Sequence, residues 1–407
     1  MSSGPITAHL PATTTAASPA PAREYIVVLG SPIGIPQIIA ALLLLAFSAQ
    51  CFWLAVHSPM RVMEVAQIEQ GQKLFQEGAF SADAARSPVI PVLAAAPLIG
   101  SGVTASPGAL LFPHPHSWRW RARLPFIAIG ILLGASLWYV ARRLYGNAGG
   151  YIALSLYAFS PLIITRATTI QPAIVAAWGA FGAVFTAIAV AHTLYAPREV
   201  VLWNWKRIAL LGLAITLAVG SQFALAGVVL LAFAFLLYLV PERRGAAVAI
   251  IAAACAVAVA LLVAAFGFDL QAMTGAARGL RAADFAPQLL ARKLTYRLLA
   301  MFFLRMPGVL VGLGAALIAY ATWKRPRFFG VTAPLTAFAL VMLLGITMPH
   351  LGGYNLFVSA LPFAYVFIAG VFSDLLETRH SSLVFGVLTG VILAHALVSV
   401  MGLMRIG

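Results

Sequence analysis

Apolar residues run along this chain in long blocks, separated by short connectors that carry most of its charge. Blocks of about 20 mostly apolar residues, enough to cross ~30 Å of hydrocarbon, lie near 33–56, 123–141, 149–165, 172–195, 208–221, 223–240, 245–266, 308–323, 330–348, 354–375 and 382–404. The pattern predicts an all-α polytopic membrane protein with about 11 transmembrane helices, because an exposed strand edge leaves its backbone unsatisfied in lipid. Residues 245–266 hold neither charge nor proline and form the clearest span. Residues 208–240 read either as two short spans or as one span with a re-entrant segment.

Two interruptions break the rhythm. Residues 57–122 and 267–307 are too long and too polar to be connectors, so they form structure outside the bilayer. In the first, Val62, Val65, Ile68 and Phe75 recur at helical spacing, while Glu64, Glu69 and Lys73 lie off that stripe. This predicts an amphipathic helix over 61–77 lying on the membrane surface. A second helix is expected from Pro88 to Ile99. In the other loop, Gln271–Arg305 mixes basic residues with Met, Leu, Phe and Tyr at helical spacing, the makeup of a helix resting on headgroups.

Composition narrows the picture further. The chain is 62% apolar and only 9% charged, which excludes a soluble domain beyond the loops. With the N-terminus inside, the short cytoplasmic connectors hold Arg142, Arg143, Arg198, Lys206, Arg207, Arg243, Arg244, Lys324, Arg325, Arg327 and Arg379, against Arg166 alone in the short outer ones. That bias places both long loops on the extracytoplasmic face. About half of the basic residues behind the net charge of +15 therefore set topology, and no nucleic-acid partner is expected. Residues 1–32 read as a disordered cytoplasmic tail, and 33–407 as the membrane domain. Cys51 and Cys255 lie in separate spans and read as apolar fillers. His114 and His116 would point to one side of an extended loop but have no evident third ligand. No metal site and no cofactor are expected, with a divalent metal left open. Trp118-Arg119-Trp120-Arg121 reads as an interfacial anchor.

Several short segments recur in an order that resembles the GT-C class of membrane glycosyltransferases, in the branch of the protein O-mannosyltransferases and the aminoarabinose transferases of lipid A. That branch carries an acidic pair in its first outer loop, then an HPPL-like segment. Here these are Met63-Glu64-Val65 and Arg86-Ser87-Pro88-Val89. Its ARLP and RRLFG elements correspond to Ala122-Arg123-Leu124-Pro125 and Arg142-Arg143-Leu144-Tyr145-Gly146. An SP turn is matched by Ser160-Pro161, a KTP element by Arg305-Met306-Pro307, and a late RYLLPxxPF element by Asn355 through Phe363. The likeness runs in order over 33 to about 375.

The resemblance implies a bacterial inner-membrane glycosyltransferase that takes a sugar from a polyprenyl-phosphate carrier on the extracytoplasmic face. A first-loop carboxylate would act as general base, and cations would hold the carrier phosphate. The family's catalytic aspartate falls on Met63, which leaves Glu64 as the candidate base, with Glu69 and Asp83 behind it. Arg86 and Arg305, at proline-marked corners between loop and membrane, are the candidate phosphate ligands. Gln222 and Asn355 stand where the family has a lysine-like residue and an arginine. The second acidic position falls in Thr169-Ile170-Gln171-Pro172, without a carboxylate. These losses support an alternative, a catalytically inactive subunit of the same fold that binds lipid or scaffolds companion membrane subunits. A secondary transporter is less supported, since no halves with matched broken helices are apparent.

Overall fold

The computed structural model describes residues 26–28, 31–78, 87–101, 119–195, 205–279, 285–322, 328–348, 354–379 and 381–404. One short ladder precedes the helices. Strand β1 (Ile26–Val28) pairs antiparallel with β2 (Ser31–Ile33), Ile26 opposite Ile33, inside the stretch expected to be a disordered tail. Residues 1–25 lie outside the described residues.

Helix α1 (Ile35–His57) starts with proline in its first turn, where the missing N–H has no intrahelical partner to lose. Both helices expected in the first loop form, as α2 (Val62–Glu77) and α3 (Val89–Ala95), the latter extended by a 3₁₀ turn through Leu98. They cross closely. A Cβ built on Gly71 would lie 2.1 Å from the Pro91 carbonyl oxygen, so only glycine fits that crossing. Helix α2 does not present the face expected of it. Val62 and Phe75 are exposed, whereas Glu64 is buried beside Val65 and Ile68.

Helix α4 (Arg119–Ala158) contains a reversal at Gly146, whose φ of 80° and ψ of −172° fall in a region open essentially to glycine alone. Its two limbs pack back on each other, with the Tyr157 hydroxyl donating to the Gly130 carbonyl. The second limb continues through Ser160 into α5 (Pro161–Ala167), and α6 (Pro172–Leu194) follows. Then come α7 (Trp205–Ser221), a break at Gln222, a 3₁₀ turn (Phe223–Leu225), α8 (Ala226–Leu239) and α9 (Arg244–Ala265). The second loop holds α10 (Leu270–Gly279), a 3₁₀ turn (Pro287–Ala291) and α11 (Lys293–Leu304). The chain closes with α12 (Pro307–Thr322), α13 (Phe328–Thr347), α14 (Tyr354–Leu376) and α15 (Ser381–Met404).

Among the described residues, each of the eleven apolar stretches is thus mainly helical, with non-helical residues at Ile33–Gly34 and a local break at Phe159–Ser160. By length and composition, seven helices among the described residues can cross a bilayer, or eight if the bent α11–α12 pair counts as one span. The difference from eleven has two sources. The two limbs of α4, reversed at Gly146, count together as one helix, and α7, α8 and α12, with 17, 14 and 16 residues, lie at or just below the roughly 17-residue lower limit for a crossing. The protein is an integral membrane protein. Helices α6 and α14 form its axis, 83% and 94% buried over their most apolar stretches, while α9 and α15 are largely exposed, with only 17% buried. Phe181 and Phe185 of α6 meet Phe363 of α14 at ring separations of 5.7 and 6.1 Å.

The bend of 109° between α11 and α12 turns the second loop's last helix across the direction of the bundle. Leu294, Leu298, Met301 and Leu304 are exposed along α11, and only Phe302 is buried, against Phe303 and Phe357. Such a helix, pinned by one aromatic and otherwise bare, has the form of an element resting on lipid.

Candidate functional site

Glu64 occupies the third position of α2, where a glutamate can reach back to the N-cap backbone. Its Oε2 accepts from the Arg61 backbone N–H at 2.9 Å and from Arg123 Nη2 at 3.0 Å. Its Oε1 accepts from Arg123 Nε at 3.2 Å and from the Ile170 backbone N–H at 3.0 Å. Four donors fill the roughly four lone-pair sites of a carboxylate. Arg123 is equally committed. Its Nη1 donates to the Ala55 carbonyl and to Ser58, and its Nη2 also reaches the Pro59 carbonyl at 3.1 Å. Both side chains are 1% exposed.

This pair ties together the end of α1, the start of α2, the first turns of α4 and the turn before α6. A general base must offer a free lone pair to a substrate proton. Glu64 has none to offer in this arrangement, and its neighbour Met63 is 69% exposed. The chemistry of the pair is architectural: a closed, bidentate, fully hydrogen-bonded ion pair.

The sequence placed Arg123 only among the outer basic residues and the ARLP element. The signal that marks it is an arginine followed directly by an apolar span, a position that demands a partner.

The other candidates cluster through their elements. At the break between α7 and α8, Gln222 is 2% exposed, and neither its Oε1 nor its Nε2 has a hydrogen-bond partner among the described residues. Its neighbour Ser221 is fully buried, with a hydroxyl unpartnered among the described residues but a carbonyl that accepts from Ser87 Oγ at 2.7 Å. A Cβ on Gly220 would lie 2.7 Å from Val89. Ser87 and Val89 are therefore brought to the Ser221–Gln222 break, and Arg86 lies outside the described residues. Unpaired polar atoms at a break between two apolar helices are costly, and a bound polar group would offset that cost.

Arg305 caps α11 and is exposed, next to Met306, whose sulfur accepts from the Ser160 hydroxyl at 3.4 Å. Asn355 is half-buried in the first turn of α14. Phe357, one half-turn on, meets Phe302 of α11 at 5.6 Å. Leu344 of α13 would touch a Cβ on Gly227 at 3.2 Å, and Gly345 packs against Phe357. A continuous chain of contacts thus joins the elements carrying Gln222, Asn355 and Arg305 at the end of the bundle that holds α2 and α3.

Among the described residues, the remaining carboxylates near that end are occupied or exposed. Glu69 pairs with Lys73 at 2.9 Å, and this hydrogen bond raises the Lys73 ammonium above its ordinary pKa. Asp269 caps α10 by accepting from the Gln271 and Ala272 backbone N–H groups. Asp83, His114 and His116 lie outside the described residues, and among those described no three His, Cys, Asp or Glu side chains gather as a metal site. Cys51 and Cys255 are free thiols. Compared with models of known protein families and with curated proteins, the sequence matches none.

Proposed function

We propose that this chain is a GT-C-like membrane protein of the bacterial inner membrane that binds a polyprenyl-phosphate lipid on its extracytoplasmic side and acts as a non-catalytic subunit. The observation that carries the reading is the saturation of Glu64 by four donors, which removes the candidate base from chemistry. The chain passes the membrane eleven times, with the N-terminus cytoplasmic, in keeping with the eleven helical stretches and the Lys and Arg bias of the short connectors. The carrier phosphate is held by Arg86 and Arg305, with Gln222 and Asn355 beside it.

A second reading, an active transferase, is favoured by one specific contact. Ser87 donates to the Ser221 carbonyl beside Gln222, whose side chain is unpartnered among the described residues, and Asp83 and Arg86 stand four residues and one residue before Ser87 in the sequence. In that reading Asp83 is the base and Glu64 keeps its architectural role.

The test is polyprenyl-phosphate binding and sugar transfer with the purified full-length protein. Gln222→Ala should weaken carrier binding roughly tenfold, the usual worth of a lost hydrogen bond to a charged group. No transfer to any acceptor supports the subunit. Transfer abolished by Asp83→Asn supports the second reading. Transfer abolished by Glu64→Gln in a folded sample overturns both.

A further inference from the structure

A cavity of about 460 Å³ opens on the side of the bundle between the first limb of α4, α6 and α7. Its wall is mostly apolar, with Phe181, Phe185, Ala214 and Leu217 inside and Leu132 and Leu210 exposed at its lips. Its volume lies in the range of small-ligand sites, roughly 300–1,000 Å³.

Its position along the helices is well defined. The last turn of α7 meets α3 through Gly220 and Val89. The first turn, which holds Arg207, is 13 residues earlier and so lies ~20 Å away at the opposite end of the bundle. The wall on α7 runs from Arg207 to Leu217. At 1.5 Å per residue this is ~15 Å, about the depth of one leaflet's hydrocarbon.

The charge of the site sits at one end. Among the described residues, Arg207 is the sole ionised group in the lining. Its Nη1 makes a long contact of 3.4 Å with the Ala189 carbonyl, and a guanidinium has five N–H donors. Trp205 and Lys206 are exposed beside it, the pairing of aromatic and cation found at headgroup level. Inside, Trp178 Nε1 donates to Ser136 Oγ at 3.3 Å.

We infer that this cleft binds an anionic glycerophospholipid of the cytoplasmic leaflet, one acyl chain lying along Phe181, Ala214 and Leu217 and the phosphate on Arg207. An apolar trough one leaflet deep, open sideways and closed at headgroup level by a cation, matches a lipid with a negative head. A soluble ligand would have to enter through hydrocarbon, and a partner helix would not need the cation. The inference rests on the proposed orientation of the chain but not on carrier binding, which concerns the other end of the bundle.

The experiment uses full-length protein in nanodiscs with phosphatidylglycerol bearing a photoactivatable acyl chain, with labelled peptides mapped by mass spectrometry. Labelling is expected on the α6 and α7 peptides that line the cleft, displaced by unlabelled phosphatidylglycerol and not by phosphatidylcholine. Arg207→Gln, an exposed change, should weaken phosphatidylglycerol competition roughly tenfold, as loss of a charge-assisted contact does. Ala135→Phe, which fills the trough from its half-buried rim, should abolish labelling there while Arg207→Gln retains the fold. Equal displacement by both phospholipids, or labelling unmoved by either variant, identifies an ordinary annular lipid and overturns the inference. Displacement by polyprenyl phosphate alone overturns it too, by assigning the cleft to the carrier. Carrier binding lost by Gln222→Ala with cleft labelling intact would separate this site from the one proposed above.

Discussion

The fate of Glu64 shows how one carboxylate changes role with its surroundings. In water it is a solvated helix charge. Enclosed with Arg123 and two backbone N–H groups, it becomes a fixed part of the frame. Removing one member of such a buried pair leaves the other charge without compensation, at a cost of about 3–5 kcal/mol. Glu64→Gln and Arg123→Met should each lower thermal stability in detergent on that scale. The double variant should cost less than the sum, a coupling readable from a double-mutant cycle. A protein whose stability is untouched by Glu64→Gln would contradict this role. The Glu69–Lys73 pair offers a contrast. It is exposed and screened by solvent, so Lys73→Ala should leave the melting temperature unchanged.

At the scale of elements, two glycines hold the architecture for different reasons. Gly71 lies where α2 crosses α3, and a methyl there meets the Pro91 carbonyl oxygen and the Ala95 side chain. Alanine normally favours a helix over glycine by about 1 kcal/mol. Overpacking of roughly 1–3 kcal/mol should outweigh that gain, so Gly71→Ala is expected to destabilise. At Gly146 a methyl would meet nothing within 4 Å, but a φ of 80° disfavours any side chain on conformational grounds. Gly146→Ala should cost of order 1–3 kcal/mol by strain alone. Urea unfolding of both variants checks the pair. A stabilising Gly71→Ala would mean that the crossing relaxes more easily than its geometry implies.

For the whole molecule, the arrangement that matters is which loops share a side. Both long loops are proposed to face outward, α2 and α3 in one and α10 and α11 in the other. Phe80→Cys and Phe285→Cys in intact cells should both react with a membrane-impermeant maleimide. Phe285 is 48% exposed, so access there is not limited by burial. Labelling at one position alone would break the eleven-pass topology. The contact between Gly267, after α9, and Leu74 of α2 supports a common side, since a Cβ at Gly267 would sit 2.8 Å from that leucine.

The sequence by itself determined that this is a helical membrane protein, where most of its helices lie and that two long polar segments interrupt its apolar runs. Those properties follow from hydrophobic runs and local spacing, which act within about 20 residues. Even the start of α2 and the reach of α3 were legible, from periodicity and from Pro88. The sequence did not determine what Glu64 touches. Its partners Arg123 and Ile170 are 59 and 106 residues away, and no local pattern encodes such a meeting. The sidedness of α2, the approach of Ser87 to Ser221 and the trough beside Arg207 were settled in the same way. Each depends on three or more helices arriving together, and the burial and pairing of a polar group are properties of that assembly rather than of any one segment.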